Sequence, residues 1–375
     1  MNGLARVRIA VLLPDLRSGG AEWLHLNLAA EWLRLGCGVE FVLRREQGDL
    51  LESLPSGATV ADLGAERVRG ALRPLVRYLR ATQPDVLLAA MWPLTVLAPL
   101  ATRLAGFRGR VVVSEHSPLS LAYANRGRAH RLAMRGTMRL AYPRADARIA
   151  VSGGVADDLS ALSGLSRSRF DVIHNPAALG RVGAALPLRP AILDNADGPL
   201  ILTVGTLKKV KRHDLLINAF ARLPADLGAT LCILGEGRER EALERQTAAL
   251  GLSGRVLLPG FAADTAPWYA HADLFVLSSD YEGFGNVIVE AMEHGLPIVS
   301  TDCPAGPAEI LCGGEYGRLV PVGDAAALAR AMESALNEPR DGEALRARAR
   351  MFSADRIAER YLDVLLPGSR REASE

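Results

Sequence analysis

Short, almost wholly apolar runs alternate along this chain with longer stretches whose apolar positions recur every three or four residues. In the first half the apolar runs are Val7–Leu13, Val39–Leu43, Thr59–Leu63, Val86–Ala90, Val111–Ser114, Ala147–Val151 and Val172–Ile173. Between the first two, apolar residues at 21, 24, 28, 32 and 35 fall on one helical stripe, which predicts a helix over Ala21–Leu35. Strands apolar on both faces, separated by helices, predict a parallel sheet covered on each side. The alternation lapses over the Pro/Ala-rich stretch Asn175–Pro199, with prolines at 176, 187, 190 and 199. It resumes at Leu200–Val204, Thr230–Leu234, Val256–Leu258, Leu274–Leu277, Pro297–Ser300 and Leu319–Val320, and the chain closes over Ala325–Leu366 in helices rich in Ala, Leu and Arg. The pattern predicts an α/β protein of two doubly wound parallel-sheet domains in tandem, residues 1–180 and 199–350, joined by a linker at 181–198.

Composition sharpens the division. The 375 residues suit two domains at a soft average of about 150 each. Net charge is only +2, which excludes a bulk polycation that wraps nucleic acid. Yet 25 Arg and 15 acids precede Ala191, a net of +10, whereas 19 basic residues and 27 acids follow Pro190, a net of −8. Halves so different are expected to face different partners. Cys37, Cys232, Cys303 and Cys312 lie far apart with no Cys-x-x-Cys, a pattern for reduced, buried thiols rather than a disulfide frame or a zinc site. The first apolar run is stopped by Pro14-Asp15, unlike a signal peptide. The longest, Val86–Ala101, is too short to span a bilayer and holds Pro93 and Pro99, so it reads as a strand turning into a buried helix. A cytoplasmic protein, soluble or peripheral on a membrane, is expected.

In doubly wound sheets, ligands bind beyond the carboxyl ends of the strands, here expected in the cleft between domains. The turn Ser18-Gly19-Gly20-Ala21-Glu22 leaves the first strand, and its glycines at a helix start suit close approach to a phosphate. The segment from Ser279 to Met292 follows the strand Leu274–Leu277 and carries Glu282 in the turn and Glu290 two turns into the next helix. Because helical side chains lean toward the N-terminus, both carboxylates can reach one ligand, one suited to sugar hydroxyls and the other to a ribose diol. The amides of Gly283, Phe284 and Gly285, ahead of Asn286, are expected to face the same space. All three lysines, against 41 arginines, lie in the turn after Leu200–Val204: Gly205-Thr206-Leu207-Lys208-Lys209-Val210-Lys211-Arg212. Ammonium groups there suit a diphosphate whose charge grows as it departs. Gly235-Glu236-Gly237 lacks the third glycine of a dinucleotide fingerprint, since Arg240 stands there, and no Asp-x-Asp pair suggests a metal on a nucleotide.

The Glu282–Glu290 string, the Gly205–Lys211 turn and the Gly19-Gly20 turn resemble those of the retaining glycosyltransferases of the GT-B fold, family 4, whose hallmark is Glu, seven residues, Glu. The likeness covers essentially the whole chain. Ser114-Glu115-His116-Ser117, Ile173-His174-Asn175-Pro176 and Asp302-Cys303-Pro304-Ala305-Gly306-Pro307 look most like bacterial members that extend lipid-linked oligosaccharides, several of them using UDP-N-acetylhexosamines. The resemblance implies two Rossmann-like domains, with a terminal helix at 353–367 crossing back to the first. It implies transfer of a hexose or N-acetylhexosamine from a nucleotide sugar, without cofactor or metal. It places Glu282 on the donor sugar's hydroxyls, Glu290 on the ribose, Lys211 on the diphosphate and His116 near the reacting carbon, with Gly260-Phe261 bordering the base. One departure stands out. Where the family commonly has Arg after the turn glycine this chain has Thr206, so Lys208 or Arg212 is expected to supply the charge. A nucleotide-sugar epimerase of the same architecture and a non-catalytic sugar-nucleotide-binding component remain the alternative readings.

From Ser117 to Ala145 there are six arginines and no acid. Arg128, Arg131, Arg135 and Arg139 recur at helical spacing beside Leu132, Met138 and Leu140, a stripe suited to an anionic membrane surface or to the pyrophosphate of a lipid-linked acceptor.

Overall fold

The computed structural model describes residues 7–17, 19–180, 182–183, 186–194, 196–339 and 341–368. The chain divides into two compact units. One runs to Pro176 and resumes at Ala354; the other spans Ala177–Ser353.

The first unit is built on β1 (Arg8–Leu13), β2 (Gly38–Leu43), β3 (Thr59–Asp62), β4 (Val86–Ala90), β5 (Arg110–Glu115), β6 (Ala147–Ala150) and β7 (Asp171–Val172). Its helices are α1 (Gly20–Arg34), α2 (Leu72–Thr82), α3 (Leu94–Ala105), α4 (Leu119–Ala122), α5 (Arg128–Ala141) and α6 (Gly153–Ser163). The strands pair in parallel in the order β3-β2-β1-β4-β5-β6-β7. Their apolar runs serve two cores at once. Ile9, Val11 and Leu13 point to one face, with Leu24, Leu28 and Trp32 of α1; Ala10 and Leu12 point to the other, with Leu75 and Leu79 of α2 and Leu94 and Ala98 of α3. That two-sided burial is why the strands read as unbroken apolar runs.

The second unit holds β8 (Leu200–Val204), β9 (Thr230–Leu234), β10 (Val256–Gly260), β11 (Leu274–Leu277), β12 (Ile298–Thr301) and β13 (Arg318–Val320). Its helices are α7 (His213–Phe220), α8 (Arg240–Ala249), α9 (Ala266–Ala270), α10 (Asn286–Glu293), α11 (Pro307–Ile310), α12 (Ala325–Asn337) and α13 (Gly342–Arg350). The sheet is parallel, in the order β10-β9-β8-β11-β12-β13. The last helix, α14 (Ala354–Leu365), belongs to the first unit, where Ile357, Tyr361, Leu362 and Leu365 join the α1 face of the core. Trp32 clamps it there, its indole N–H donating to Ala358 O at 3.2 Å. Each such fully buried large side chain contributes about 1.5–3 kcal/mol.

The Pro/Ala-rich stretch expected to link two domains is grouped with the second unit. Its start is tied down there: Ala178 N–H donates to Phe352 O at 3.1 Å, and the amides of Leu179 and Gly180 donate to the Glu293 carboxylate at 3.0 and 2.8 Å. Further along, His271 Nε2–H donates to Pro187 O at 2.8 Å. Arg181, Ala184, Ala185 and Asn195 of that stretch lie outside the described residues.

Candidate active site

In the second sheet the order reverses between β8 and β11, and in such sheets the crevice for ligands opens beyond the carboxyl ends of the strands flanking that point. The lysine-bearing turn leaves β8 and the acidic turn leaves β11, so the topology brings together two segments some 70 residues apart, about one domain's half-length. Lys211 Nζ sits 2.7 Å from Glu282 Oε1, with side chains 21% and 12% exposed. Ser279 Oγ donates to the same carboxylate oxygen at 2.6 Å. The supporting layer is also hydrogen-bonded. Ser278 Oγ donates to Lys211 O at 2.8 Å, Asp280 N–H to Val210 O at 2.8 Å, and Thr301 Oγ1 to Ser279 O at 2.7 Å. Gly205 lies beneath the lysine stem, 3.6 Å from Lys211 Cε measured from where a Cβ would stand.

The other expected donor residues divide. Glu290, in the second turn of α10, accepts the Tyr269 hydroxyl at 3.0 Å. Burial, then the charge of Glu290, raises that phenol well above its ordinary pKa. Gly285 opens α10 with φ 105°, a conformation glycine adopts readily, and Asn286 begins the helix. The Phe284 side chain is only 2% exposed, its ring packed edge-on against Phe352 at 5.4 Å. Thr206 and Lys208 are exposed. Arg212, one of the two cations expected to replace the missing arginine, is held between Asp214 at 3.1 Å and Asp280 at 3.0 Å. That leaves Lys208. Gly260 has φ 98° and Phe261 is 72% exposed. Gly235 and Gly237 exist for packing: a Cβ on either would lie 2.1 and 2.4 Å from the carbonyl oxygens of Gly205 and Leu207.

In the first unit the expected phosphate turn precedes α1. The Glu22 carboxylate folds over Gly19, so a Cβ there would sit 2.2 Å from Glu22 Oε2. A carboxylate at the start of α1 is favoured by the helix dipole. Gly20 is the first residue of α1, and Ser18 lies outside the described residues. His116 follows β5, its Nε2 3.2 Å from Ser114 Oγ and its ring edge-to-face with His25 at 5.2 Å. Burial, then repulsion from His25, keeps His116 well below an ordinary histidine pKa, so it is neutral near pH 7. His25 donates from Nδ1 to Ala21 O at 2.7 Å, and burial pushes it down to about 4. Glu115, quoted in the sequence only as a neighbour of His116, is a hub. It is 2% exposed and accepts Thr95 Oγ1 at 2.5 Å, Tyr142 OH at 2.7 Å and Trp92 N–H at 3.1 Å. Burial raises its pKa to about 7 despite those bonds. The one available signal was an acid ending an apolar strand.

Arg128, Arg131, Arg135 and Arg139 are all exposed along α5. The apolar surface beside them comes from Leu132 and Leu140, 69% and 50% exposed; Met138, also expected there, is fully buried in the core with Met134 because it lies on the opposite stripe. Cys37, Cys232 and Cys303 are buried free thiols, but Cys312 is exposed, in a turn where its φ is 47°. Among the described residues no group of three or more His, Cys, Asp or Glu could hold a metal ion, and no helix is long and apolar enough to cross a membrane.

Comparison with known proteins matches both units. The family model described as Glycosyltransferase Family 4 matches residues 18–181, and that of Glycosyl transferases group 1 matches 198–338. The lipopolysaccharide core biosynthesis glycosyltransferase LpsE of Rhizobium meliloti is 33% identical over 365 residues, 93% of this chain and 96% of that protein. The N-acetylgalactosamine-N,N'-diacetylbacillosaminyl-diphospho-undecaprenol 4-alpha-N-acetylgalactosaminyltransferase of Campylobacter jejuni is 31% identical over 271 residues, 71% of this chain and 72% of that one. Among solved structures, Anabaena HepE in complex with UDP superposes with a TM-score of 0.77 at 22% identity, covering 96% of this chain and 99% of that one. The apo lipopolysaccharide outer core galactosyltransferase WaaB gives 0.71 at 20% identity, covering 96% and 99%. The fold is thus the GT-B arrangement that the sequence motifs resembled.

Proposed function

The chain belongs to the group 1 glycosyltransferases of family 4, and from that premise we propose that it transfers a hexose or N-acetylhexosamine from a UDP-linked sugar to a lipid-linked or other glycan acceptor. The product is a bacterial surface polysaccharide such as a lipopolysaccharide core, in keeping with the names of its Rhizobium and Campylobacter relatives. The observation that carries the reading is the Lys211–Glu282–Ser279 constellation at the switch point of the second sheet.

In this reading the second unit binds the donor. Glu282 and Lys211 are held against each other at 2.7 Å, so the site is preorganised for a ligand with both hydroxyls and negative charge. Glu282 accepts sugar hydroxyls, and Lys211 turns to the diphosphate as charge develops on the departing oxygen. Glu290, steadied by Tyr269, receives the ribose diol, and Phe261 borders the base. Lys208 adds the charge that Thr206 lacks. Transfer proceeds on the front face, with retention: the leaving diphosphate oxygen takes the proton of the acceptor hydroxyl as the new glycosidic bond forms. Neutral His116, in the first unit, contributes near the reacting carbon as a hydrogen-bonding group rather than a charge. The first unit binds the acceptor, and α5 holds it or the enzyme to an anionic membrane surface. No metal takes part.

A thermal-shift panel of UDP-, GDP- and ADP-linked sugars tests the donor. A ligand at 100 times its dissociation constant stabilises by about 2.7 kcal/mol, so a UDP-sugar is expected to raise the melting temperature most, with or without EDTA. A larger shift from another nucleotide would overturn the UDP assignment, and an inverted anomeric signal in the product's NMR spectrum would overturn retention.

A further inference from the structure

We propose that Trp92, Tyr123 and His130 form the subsite for the acceptor's sugar ring, for a saccharide carried on a diphosphate group. The proposal rests on the glycosyl-transfer reading and adds to it the residues that meet the acceptor sugar. In the first sheet the order reverses between β1 and β4, so the carboxyl end of β4 borders the place where such sheets receive ligands. Trp92 is the second residue beyond that strand, and the structure goes to some length to place it. Met91 before it has φ 68°, a left-handed backbone that non-glycine residues rarely adopt and that concentrates at functional sites. The Trp92 N–H is held by the buried Glu115 carboxylate at 3.1 Å.

The three rings lock one another. Trp92 stands edge-on to Tyr123 at 5.0 Å and to His130 at 5.4 Å, and Tyr123 lies 5.4 Å from His130. All three are half-buried, and Trp92 Nε1 and His130 Nε2 are shielded from water without a hydrogen-bond partner. Buried polar atoms are nearly always paired. A pyranose answers both features, with a C–H face for an aromatic ring and hydroxyls for the two nitrogens once the rings shift to admit it. His130 sits in the first turn of α5 with Arg126, Arg128 and Arg131 exposed around it, in a stretch without a single acid. A sugar seated on the rings therefore has cations within reach for its diphosphate.

Calorimetric titration with farnesyl diphosphate, bare and bearing glucose, galactose, N-acetylglucosamine or N-acetylgalactosamine, tests the assignment. At least one sugar-bearing probe is expected to bind the wild type about tenfold more tightly than the bare one, the scale of a good aromatic contact. Tyr123→Leu, His130→Leu and the milder His130→Gln are expected to erase that advantage while leaving bare farnesyl diphosphate binding intact, which also certifies that the first unit is folded. If no sugar improves binding to the wild type, or the advantage survives these substitutions, the subsite is wrong. UDP titrated into the same samples reports on the donor reading separately.

Discussion

Lys211 and Glu282 are each other's partner at 2.7 Å, so the two residues assigned to catalysis are best tested one at a time. Lys211→Ala removes the ammonium proposed to meet the leaving diphosphate. Preorganised charge stabilisation is worth about 3–4 kcal/mol per donor group, so turnover is expected to fall a hundredfold or more with the melting temperature little changed; a loss under tenfold would contradict the role. Glu115 offers a test of a different kind. Its pKa of about 7 against an unfolded value of 4.5 means the native state holds the extra proton between those limits, so this residue makes stability fall as pH rises through that window, by about 3 kcal/mol in all. His25, pushed down to about 4, acts with the opposite sign but is common to wild type and variant. Unfolding midpoints of Glu115→Gln compared with wild type from pH 4.5 to 7.5 should therefore converge or cross in favour of the variant toward neutral pH. Parallel curves would show that Glu115 stays ionised throughout.

At the scale of elements, α5 and the loop after β12 carry the sharpest consequences. Charge reversal of Arg131, Arg135 and Arg139 to Glu alters only exposed side chains, while the buried Met134 and Met138 keep the helix docked. With each cation near an anionic surface worth about 1 kcal/mol, the triple variant is expected to leave anionic liposomes in a sedimentation assay while its UDP affinity stands unchanged. Gly306 has φ 96°, and a Cβ there would lie 1.9 Å from Phe284 O. Gly306→Ala should push the donor loop out of place, weakening UDP-sugar binding and lowering the melting temperature; unaltered binding would mean the loop has room that this packing denies. These elements also mark how far a sequence can be read. All thirteen strands among the described residues were legible within a residue or two at either end, the central ones because burial on both faces leaves few polar positions to confuse the pattern. The Glu282 and Lys211 turns stood out because the chain's only lysines and a glycine-rich acidic string follow two strands, and the structure brings their side chains to 2.7 Å. What escaped was set by contacts distant in the chain. The Phe284 ring packs on Phe352, Arg212 pairs with Asp280, and Glu115 is buried against Thr95 and Tyr142. None of these depends on local spacing.

For the whole molecule, the return of the chain to its first unit is the feature with thermodynamic content. Residues 354–365 lie at the far end of the sequence yet are core to a unit that otherwise ends at Pro176. Tyr361 is fully buried beside Trp32, and its hydroxyl lies 3.4 Å from Ser114 Oγ, next to His116. The first unit therefore cannot be completed until the second has been traversed, whatever order the two sheets form in. Tyr361→Ala leaves a large cavity and is expected to cost the first unit about 3–5 kcal/mol. The second unit has its own core, drawn from β8 to β13 and from α7, α8 and α12, with no residue of α14 in it. In a calorimetric scan one transition should move down by many degrees, and the transition that UDP-sugar raises should stay where it was. A single transition that moves as a whole would instead mean that the two units melt together, and that α14 stabilises the entire chain.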